Sequence, residues 1–533
     1  MKKSKLSIYA KGASAFLVSS LIMVSCNSRM NLDDVIEAPN PEETEARVSF
    51  AGHFFETGTR AAMTEDDLLN SDKLLTAKDL LIVFYTLDDQ GDPASVSSRY
   101  TREFEIYRGQ TTGKDLESFS FEDNILHIKG EETLPMDDYA VVYFTSPSNE
   151  IMTATEVGKN FSELSKALSI TDKMEENGSI RYSIYSNVSD PLMVTEQEMR
   201  QNGPSKVFQI APSNLIALNG LIFVTADPVM KDENYFIPKD RTVYLRLNVA
   251  NKSLVPLAVN ETVTLTDATE ALIPKDDNYD TSALSEVGLE DKFYYHGKER
   301  FFEHNANYIT FSGTSVEKPN ANWVMPVPEN TVSHLSLNSN TVTQLLILVP
   351  VYPTSLLGEI TEAQKETTLL SWLRVGGKDY LMTTFKSLYL EASKVADAKR
   401  TEEQRLIITA GRELAKMNPD YLETEDGTEP TAYFPNYSCH SANVDFFHEG
   451  KCYYSIPIRH LSDDKQPDPT KDGRYGVVRN TLYYYHISSF STLGVASFEQ
   501  LNDRVRVYDE EVDASLGSPI FAKPDFIGRT VEL

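Results

Sequence analysis

The sequence predicts a mainly β protein made of tandem β-sandwich domains. Short apolar runs of strand length recur along the 533 residues, and turn residues such as DDQGDP at 88–93 separate them. Many short strands with frequent turns are typical of β-sandwich folds. Once a leader and a linker are set aside, roughly 480 residues remain, which exceeds a single core and indicates two domains or more.

The strands are predicted from apolar runs that either alternate or continue over strand length. Continuous runs such as LLIVFYTL and YAVVYFT indicate buried strands, whereas TVYLRLNV alternates cleanly. The predicted strands cover residues 80–87, 104–107, 124–128, 139–145, 215–225, 242–249, 342–352, 451–458 and 480–487. The polar stretch 227–239 predicts a boundary between an N-terminal domain, 61–232, and a C-terminal domain, 233–533.

One segment of the second domain, residues 359–422, changes to a helical period and predicts a helical insertion. Thr401 and Gln404 match a capping box, in which each side chain bonds the other residue's backbone N–H. The apolar residues that then recur at helical spacing are Leu406, Ala410, Leu414 and Met417. We expect this stripe to pack against the β domain.

The first 25 residues are predicted to be a lipoprotein signal peptide. Four lysines precede an apolar run over residues 13–24, which is too short for a permanent membrane span, and Cys26 follows directly after a small residue. The signal would be cut before Cys26 and lipid would be attached to its thiol, and each buried methylene of acyl chain contributes about 0.8 kcal/mol to anchoring. An ordinary secretory signal with a chance cysteine is the alternative.

Residues 26–60 are predicted to be a propeptide. An acidic linker with two prolines leads into a predicted strand at 46–55, which places Val48, Phe50 and Phe54 on one face. A loop of small residues follows and contains Arg60 and Ala61, and such loops are favoured sites of proteolysis. A trypsin-like protease would cut after Arg60. An uncut turn is the alternative.

Composition excludes some partners. The net charge of −29 repels phosphate backbones, so nucleic acid is not an expected partner. Beyond the signal, no apolar run is long enough to span a bilayer.

With Cys26 lipidated, Cys439 and Cys452 are left to form a disulfide or to stay as two buried free thiols. A metal site with His440 and His448 is disfavoured, because the spacing matches no zinc pattern.

Motifs of catalysis are absent from the sequence. It contains no Gly-rich phosphate loop, no G-x-S-x-G elbow and no H-E-x-x-H pair. Acidic pairs such as Asp276-Asp277 suggest glycosidase carboxylates, but turn preference explains them better in a chain with 79 acids. No catalytic residue, metal or cofactor is therefore predicted, and the protein is not expected to be an enzyme.

Several short motifs occur in an order that resembles the fimbrillins, the subunits of type V pili of certain anaerobic Gram-negative bacteria. The similarity is greatest to the short-fimbria, Mfa-like type of major fimbrial subunit and covers nearly the whole chain, although the helical segment is longer than in the commonest members. The motifs are the lipobox at Cys26, the strand ending in Gly58 to Ala61, LPMDDY at 134–139, VPENT at 327–331 with the strand after it, GKCYY at 450–454 with Arg459-His460, and RYGVVRN at 474–480 with Tyr483.

The resemblance implies two transthyretin-like β-sandwich domains and a lipoprotein precursor that reaches the surface of the outer membrane. It further implies that an arginine-specific protease removes the first strand, leaving an apolar groove that a strand of a neighbouring subunit fills. The partners would be further fimbrial subunits, including anchor and tip subunits, and the product would be a fimbrium that supports adhesion and biofilm formation.

The C-terminal residues 526–533 are the expected donor strand. They alternate, with Ile527, Val531 and Leu533 on one face, and Pro524 separates them from the body of the chain. A strand that buries four or five apolar side chains gains on the order of 6–15 kcal/mol before ordering costs. Pairing of this strand within its own domain is the alternative.

The sequence leaves two other functions open. The first is a cell-surface glycan-binding or anchor lipoprotein that is not polymerised and keeps its first strand. The second is a secreted hydrolase, which the absence of any catalytic motif disfavours.

Overall fold

Extended chain dominates the computed structural model, as the apolar patterning predicts. The structure describes residues 45–53, 76–107, 110–113, 119–122, 125–128, 133–202, 208–210, 216–264, 270–295, 307–312, 315–316, 324–337, 340–361, 370–418, 434–460, 472, 475–504 and 526–532. The mainly β fold class predicted from the sequence is confirmed. No helix among these residues is long and apolar enough to cross a membrane.

The strands before residue 218 form two sheets, except for the strand at 168–169, which pairs with residues 253–254. They are β1 (Glu45–His53), β2 (Thr76–Leu87), β3 (Pro93–Tyr107), β4 (Gln110–Gly113), β5 (Phe119–Glu122), β6 (Ile125–Ile128), β7 (Thr133–Pro135), β8 (Tyr139–Thr145), β9 (Leu168–Ser169), β10 (Tyr185–Ser186), β11 (Leu192–Val194), β12 (Phe208–Ile210) and β13 (Ile216–Ala217). One sheet has the order β12-β1-β6-β5, with β7 also paired to β1. The other has the order β13-β10-β8-β2-β3-β4, with β11 paired to β8.

Strands β2 and β8 are buried on both faces, which explains their unbroken apolar sequences. Successive side chains of a strand point to opposite faces, and here each face has its own hydrophobic cluster. One cluster contains Leu80, Ile82, Phe84, Tyr139, Val141 and Tyr143, and the other contains Leu81, Val83, Tyr85, Ala140, Val142 and Phe144. The first cluster also contains Leu134 of β7, so the β1 sheet and the β2 sheet meet there.

The later strands form a second set of sheets. They are β14 (Asn219–Met230), β15 (Tyr235–Phe236), β16 (Arg241–Asn248), β17 (Ala250–Asn251), β18 (Ser253–Leu254), β19 (Asn260–Thr264), β20 (Glu270–Pro274), β21 (Phe293–Tyr294), β22 (Asn307–Ser312), β23 (Ser315–Val316), β24 (Val324–Pro328), β25 (Asn330–Thr331), β26 (Gln344–Pro350), β27 (Tyr352–Pro353), β28 (Trp372–Val375), β29 (Lys378–Leu381), β30 (Cys439–Ser441), β31 (Val444–Phe447), β32 (Lys451–Pro457), β33 (Gly476–Val477), β34 (Leu482–Phe490) and β35 (Phe526–Glu532).

Two of these sheets enclose a single core and make a β-sandwich. One sheet has the order β24-β14-β34-β35, and the other has the order β23-β22-β16-β26-β32. The first sheet contributes Ile222, Val224, Met325, Val327, Tyr483, Tyr485 and Ile487 to the core, and the second contributes Val243, Leu245, Leu247, Leu345, Ile347, Val349, Tyr454 and Ile456.

Strand β14 corrects one predicted strand and bears on the predicted domain boundary. The strand predicted over 215–225 is divided, because residues 216–217 pair with β10 whereas residues 219–230 lie between β24 and β34. The boundary predicted after residue 232 would assign β14 to the N-terminal domain, although both of its hydrogen-bonding neighbours belong to the C-terminal part. Sheet membership therefore changes near residue 218.

The helices are short except for a pair in the predicted insertion. They are α1 (Asn149–Ala154), α2 (Glu196–Asn202), α3 (Glu286–Lys292), α4 (Met382–Ser393), α5 (Glu402–Met417) and α6 (Phe498–Arg504). The capping box is confirmed: Gln404 N–H donates to Thr401 Oγ1 at 3.2 Å, and Thr401 N–H donates to Gln404 Oε1 at 3.0 Å.

The insertion is less helical than predicted. Residues 372–381 form the hairpin β28–β29, and the sheet β29-β28-β31-β30 packs with α4 and α5 around a separate core. The buried face of α5 also differs from the predicted stripe, because Leu406 is 37% exposed whereas Ile407 and Ile408 are buried. At Gly411 a Cβ would lie 2.4 Å from the Tyr389 ring, so the close approach of the two helices requires glycine.

Trp372 joins this inserted module to the sandwich. It is fully buried, its ring stacks on Phe447 with centroids 4.1 Å apart, and its Nε1–H donates to the Val351 carbonyl at 2.9 Å. Arg374 adds a second link, since its Nη2 donates to the Tyr235 hydroxyl at 2.8 Å. The module is thus held at a defined position on the sandwich.

Replacing Trp372 with alanine should destabilise the protein by about 3–5 kcal/mol, the usual range for removing a buried aromatic side chain. Urea denaturation measures the loss, and limited proteolysis should show faster cleavage within 370–447. Leu390→Ala, at a side chain that is 40% exposed, is the control and should change the free energy of unfolding by less than about 0.5 kcal/mol. Equal losses in the two variants would contradict this account of the junction.

Candidate functional site

Strand β1, which corresponds to the predicted removable strand, has neighbours on both sides. Residues 48–50 pair in parallel with 208–210 of β12. On the other side, residues 50–53 pair antiparallel with 125–128 of β6, and residues 45–47 pair antiparallel with 133–135 of β7. Val48 and Phe50 therefore lie on an internal strand. Its loss would leave unpaired N–H and C=O groups along both walls of a slot.

The slot borders the N-terminal core. Ala46 of β1 pairs with Leu134 of β7, and Leu134 is fully buried in the cluster that also holds Tyr139, Val141 and Met199. An empty slot would bring water next to this apolar cluster. Burial of apolar surface and completion of the sheet therefore both favour a strand in this position.

The C-terminal strand β35 occupies an edge of its own sheet. It pairs in parallel with β34, from Phe526 opposite Leu482 to Glu532 opposite Ser489, and β34 is the only strand next to it in the described part of the chain. The predicted donor positions Ile527 and Val531 stand opposite Tyr483 and Ile487. Before any exchange, this strand thus pairs within its own sheet, which is the alternative left open by the sequence.

Several predicted site residues lie outside the described residues. They are the lipidation residue Cys26, the cleavage residues Arg60 and Ala61, Phe54 of the first strand and Leu533 of the donor strand. Their roles stay predictions.

The VPENT and RYGVVRN motifs meet in a buried ion pair. Arg479 donates from Nε to Glu329 Oε1 at 2.9 Å, and its backbone N–H donates to the same oxygen at 3.0 Å. Its Nη1 and Nη2 also donate to the carbonyls of Pro256 and Val255 at 2.9 and 2.8 Å. The Glu329 side chain is fully buried. We call this pair, with the two carbonyls, the Glu329–Arg479 latch.

Next to the latch, two asparagines connect the two sets of sheets. Asn480 Oδ1 accepts from Ala217 N–H at 3.2 Å, and Asn480 N–H donates to the Asn219 carbonyl at 3.0 Å. Asn219 Oδ1 in turn accepts from Ile184 N–H at 2.9 Å. Asn480 has a φ of 55°, a left-handed conformation that asparagine tolerates better than most residues. These bonds fix the point at which the chain passes from β13 to β14.

Asp276 is a buried carboxyl beside the latch. Its oxygens accept from Asn278 N–H at 2.7 Å, Thr331 N–H at 2.7 Å and Asn251 Nδ2 at 2.9 Å. Burial, assisted by the nearby charge of Glu329, raises the pKa of Asp276 to about 7 despite these bonds. This role could not be inferred from the sequence, because Asp276-Asp277 resembled an ordinary turn pair. The neighbouring Asp277 is partly exposed and contacts Lys292.

The LPMDDY motif forms a tight entry to β8. The Tyr139 hydroxyl donates to the Pro135 carbonyl at 3.0 Å, and Asp138 Oδ1 accepts from Glu196 N–H at 2.7 Å at the start of α2. The Tyr139 ring packs edge-to-face on Phe84 at 5.7 Å. The motif therefore anchors β8, the strand that lies between the two N-terminal clusters.

The predicted disulfide between Cys439 and Cys452 is not formed. Both thiols are buried and free, and they enter different cores: Cys439 packs in the inserted module and Cys452 in the sandwich. Burial raises the pKa of both thiols to about 12, so they stay protonated at neutral pH. Two buried free thiols were the alternative in the sequence analysis. In the described part of the chain, no three His, Cys, Asp or Glu side chains gather as metal ligands.

A family model agrees with the motifs of the C-terminal region. The model of the major fimbrial subunit protein type IV (fimbrillin), C-terminal, matches residues 445–525, which include Cys452 and Arg479. No curated protein sequence matches the chain. The resemblance to fimbrillins is thus confirmed for the region that supplies β32, β34 and half of the latch.

Solved structures give distant matches. The C-terminally truncated tip fimbrial protein Mfa3 of Porphyromonas gingivalis shares 11% identity over 84% of this chain and 95% of that chain, with a TM-score of 0.29. The anchor protein Mfa2 of the same organism shares 12% identity over 42% and 70%, with a TM-score of 0.19. A suspected cell adhesion protein of Parabacteroides distasonis shares 13% identity over 92% and 98%, with a TM-score of 0.36.

Replacing Glu329 with alanine should destabilise the protein by about 3–5 kcal/mol, because Arg479 then keeps a buried charge without a partner. The double variant Glu329→Met/Arg479→Met should recover much of that loss, since it removes both charges. Urea denaturation of the two single variants and the double variant gives the coupling energy. A double variant that loses the sum of the single effects would contradict a coupled pair.

Asp276 should make stability fall as pH rises. The pKa of Asp276 lies near 7 in the folded protein and near 4 in the unfolded chain. Between these pH values the unfolded chain loses the proton while the folded protein keeps it, so the free energy of unfolding decreases as pH rises. Between pH 5 and pH 8, Asp276→Asn should remove about 2–3 kcal/mol of that fall.

The measurement is the free energy of unfolding at both pH values, and Asp277→Asn is the matched control because its carboxyl is partly exposed. If Asp276→Asn and Asp277→Asn retained the same pH dependence as the unaltered protein, the assignment to Asp276 would be wrong.

Proposed function

We propose that the chain is a structural subunit of a type V pilus. The premise is that it is of the fimbrillin family, which the match over residues 445–525 supports. In this proposal, Cys26 carries the lipid that holds the precursor on the outer membrane. An arginine-specific protease cuts between Arg60 and Ala61, and subunits polymerise by donor-strand exchange. The resulting fimbrium serves adhesion and biofilm formation.

The position of β1 is the observation that carries the proposal. The strand is internal to its sheet, yet it belongs to the segment that a cut after Arg60 would release. The chain between β1 and β2, residues 54–75, contains Arg60, so cleavage there severs the covalent link of β1 to the body. Only sheet hydrogen bonds and side-chain packing would then hold β1, and an incoming strand can offer both.

The C-terminal strand has the properties of a donor. It lies at a sheet edge, so it can leave without moving any other strand of its sheet. Its seven residues are comparable in length with the nine of β1. Ile527, Val531 and Leu533 would replace Val48, Phe50 and Phe54, and three buried apolar side chains at roughly 1.5–3 kcal/mol each contribute on the order of 5–9 kcal/mol before ordering costs.

The remaining structure supports exchange at these two places. The Glu329–Arg479 latch and the bonds of Asn219 and Asn480 involve neither β1 nor β35. The junction between the two sets of sheets therefore keeps its contacts when either strand leaves. Tip and anchor subunits and further copies of the chain are the expected partners.

A surface adhesin that is not polymerised is the second candidate. The observation that favours it is the pairing of β35 with β34, which leaves the C-terminal strand engaged within its own chain. Such a protein would retain β1 and would stay anchored through Cys26.

Cleavage is tested by treating the purified precursor with an arginine-specific protease. We expect a new N-terminus at Ala61 and polymers that resist heating in detergent, whereas Arg60→Ala should stay monomeric. Arg29→Ala, which alters another arginine of the predicted propeptide, is the matched control and should polymerise normally. Polymers formed by Arg60→Ala that still contain residues 46–55 would refute strand exchange and favour the adhesin.

Donation is tested with a chain that lacks residues 526–533. After cleavage the truncated chain should accept a donor strand from another subunit but has no donor strand to offer. It should therefore terminate growing polymers and form no polymer by itself, as seen by gel electrophoresis and electron microscopy. Polymerisation of this truncated chain at the normal rate would assign the donor strand to another segment.

A further inference from the structure

The even-numbered positions of β1 belong to the face of the sheet that borders the N-terminal core. Position 46 stands opposite Leu134, which is buried in that core, and residues opposite each other in neighbouring strands share a face. Residues alternate between the two faces along a strand, so positions 48, 50 and 52 share this face. They are Val48, Phe50 and Gly52, and Phe54 continues the series in the sequence.

The two walls of the slot flank these positions unequally. Position 50 stands between Ile210 of β12 and Ile128 of β6, so it has an apolar residue on each side. Position 52 stands opposite Leu126 of β6, and the described pairing with β12 ends at position 50. The centre of the slot is therefore closed on both sides, whereas position 52 is bordered on one side in the described part of the chain.

The C-terminal strand β35 has the matching pattern in the opposite order. From the N-terminus its alternate positions are apolar, cationic, apolar and apolar, namely Ile527, Arg529, Val531 and Leu533. Aligned in the direction of β1, with the first of them at position 48, they bring Arg529 to position 50. Aligned in reverse, they supply an apolar residue wherever β1 has one and bring Arg529 to position 52, where β1 has glycine.

We propose that β35 of a second copy of the chain enters the slot in the direction opposite to β1. Leu533 and Val531 take positions 48 and 50, Arg529 takes position 52, and Ile527 takes position 54. This inference rests on the proposed function, because it takes donor-strand exchange as given and adds the direction and the register of the donor.

The charge of Arg529 decides between the two directions. In the direction of β1, its guanidinium would lie between Ile128 and Ile210, and burial of a cation without a partner is strongly unfavourable. At position 52 its apolar stem can lie along Leu126, and no paired residue of β12 stands beside it in the described chain. A long side chain at this position can keep its charged end in water.

Shifted registers fit less well. Moving the reversed strand by two residues brings Arg529 to position 50 or leaves position 48 empty. In the direction of β1, every register that brings an apolar residue to position 50 puts Asp525 or Arg529 at position 46 or 48. The other face of β35 offers one apolar residue, Phe526, which cannot fill both positions.

Backbone pairing permits the reversal. Strand β1 is parallel to β12 and antiparallel to β6 and β7, so the slot already has one wall of each direction. A reversed strand would be antiparallel to β12 and parallel to β6 and β7. Parallel ladders are only slightly less stable per residue than antiparallel ones, so the side chains decide the direction.

The test introduces pairs of cysteines into the full chain, which is cleaved after Arg60 and polymerised under mild oxidation. Leu533→Cys/Phe208→Cys should form a disulfide between subunits, because Phe208 stands opposite position 48 and opposite residues lie within reach of a disulfide. Ile527→Cys/Phe208→Cys should form none, since residue 527 would lie six positions along the strand, about 20 Å away.

A second set of pairs uses the opposite face of the strand and thus leaves the core-facing positions unaltered. Ile125 of β6 stands opposite position 53, which the reversed strand fills with Gly528. Gly528→Cys/Ile125→Cys should therefore link subunits, whereas Glu532→Cys/Ile125→Cys should not. The single-cysteine variants are the matched controls and should form no links.

Mass spectrometry of the digested polymers identifies the linked peptides. Cleavage removes Cys26, and Cys439 and Cys452 are buried, so the native thiols stay out of the reaction. Links from residues 527 and 532 instead of 533 and 528 would show that the donor runs in the direction of β1, and polymers without any of the four links would exclude β35 from the slot. Either result overturns the inference. Failure of the unaltered cleaved chain to polymerise would refute the proposed function itself, and the direction of the donor with it.

Discussion

Backbone hydrogen bonding on both sides of β1 is the constraint on which the rest of the structure depends. An internal strand completes the N–H and C=O groups of its neighbours, here β12 on one side and β6 and β7 on the other. Because Leu134 of β7 is also part of the N-terminal core, an unfilled position would expose both polar backbone and apolar side chains. The site therefore requires some strand, whereas nothing in the backbone pairing requires that strand to come from the same chain.

The C-terminal sandwich supplies a frame whose sheets do not include β1. Its core is shared by two sheets, and the Glu329–Arg479 latch joins the residues that follow β18, β24 and β33 through one guanidinium, whose three nitrogens all donate. A buried ion pair of this kind adds little net stability compared with apolar packing, but it tolerates very few alternative arrangements. We regard specificity of the junction, rather than stability, as its contribution. The inserted module is mounted on this frame with a core of its own.

The extent of sequence-based prediction varied with the range of the interactions. The strand YAVVYFT was predicted with its observed bounds at 139–145, and the Thr401–Gln404 capping box formed as expected, because both depend on neighbouring residues. The hairpin at 372–381 was missed within the predicted helical insertion, since its residues pair with β31, which lies about 70 positions later in the chain. Burial of Asp276 was missed for the same reason: its partners come from residues 251 and 331.

The sequence by itself determined the local properties of the protein: its mainly β class, the motifs that resemble fimbrillins, and the alternating pattern of the C-terminal strand. Only the tertiary structure decided that β1 is internal to its sheet, that β35 pairs at the edge beside β34, that β14 belongs to the C-terminal sandwich, and that Cys439 and Cys452 lie in separate cores. The physical reason is that patterning along a chain specifies which side chains must be buried, whereas the choice of neighbouring strand depends on contacts between segments far apart in sequence.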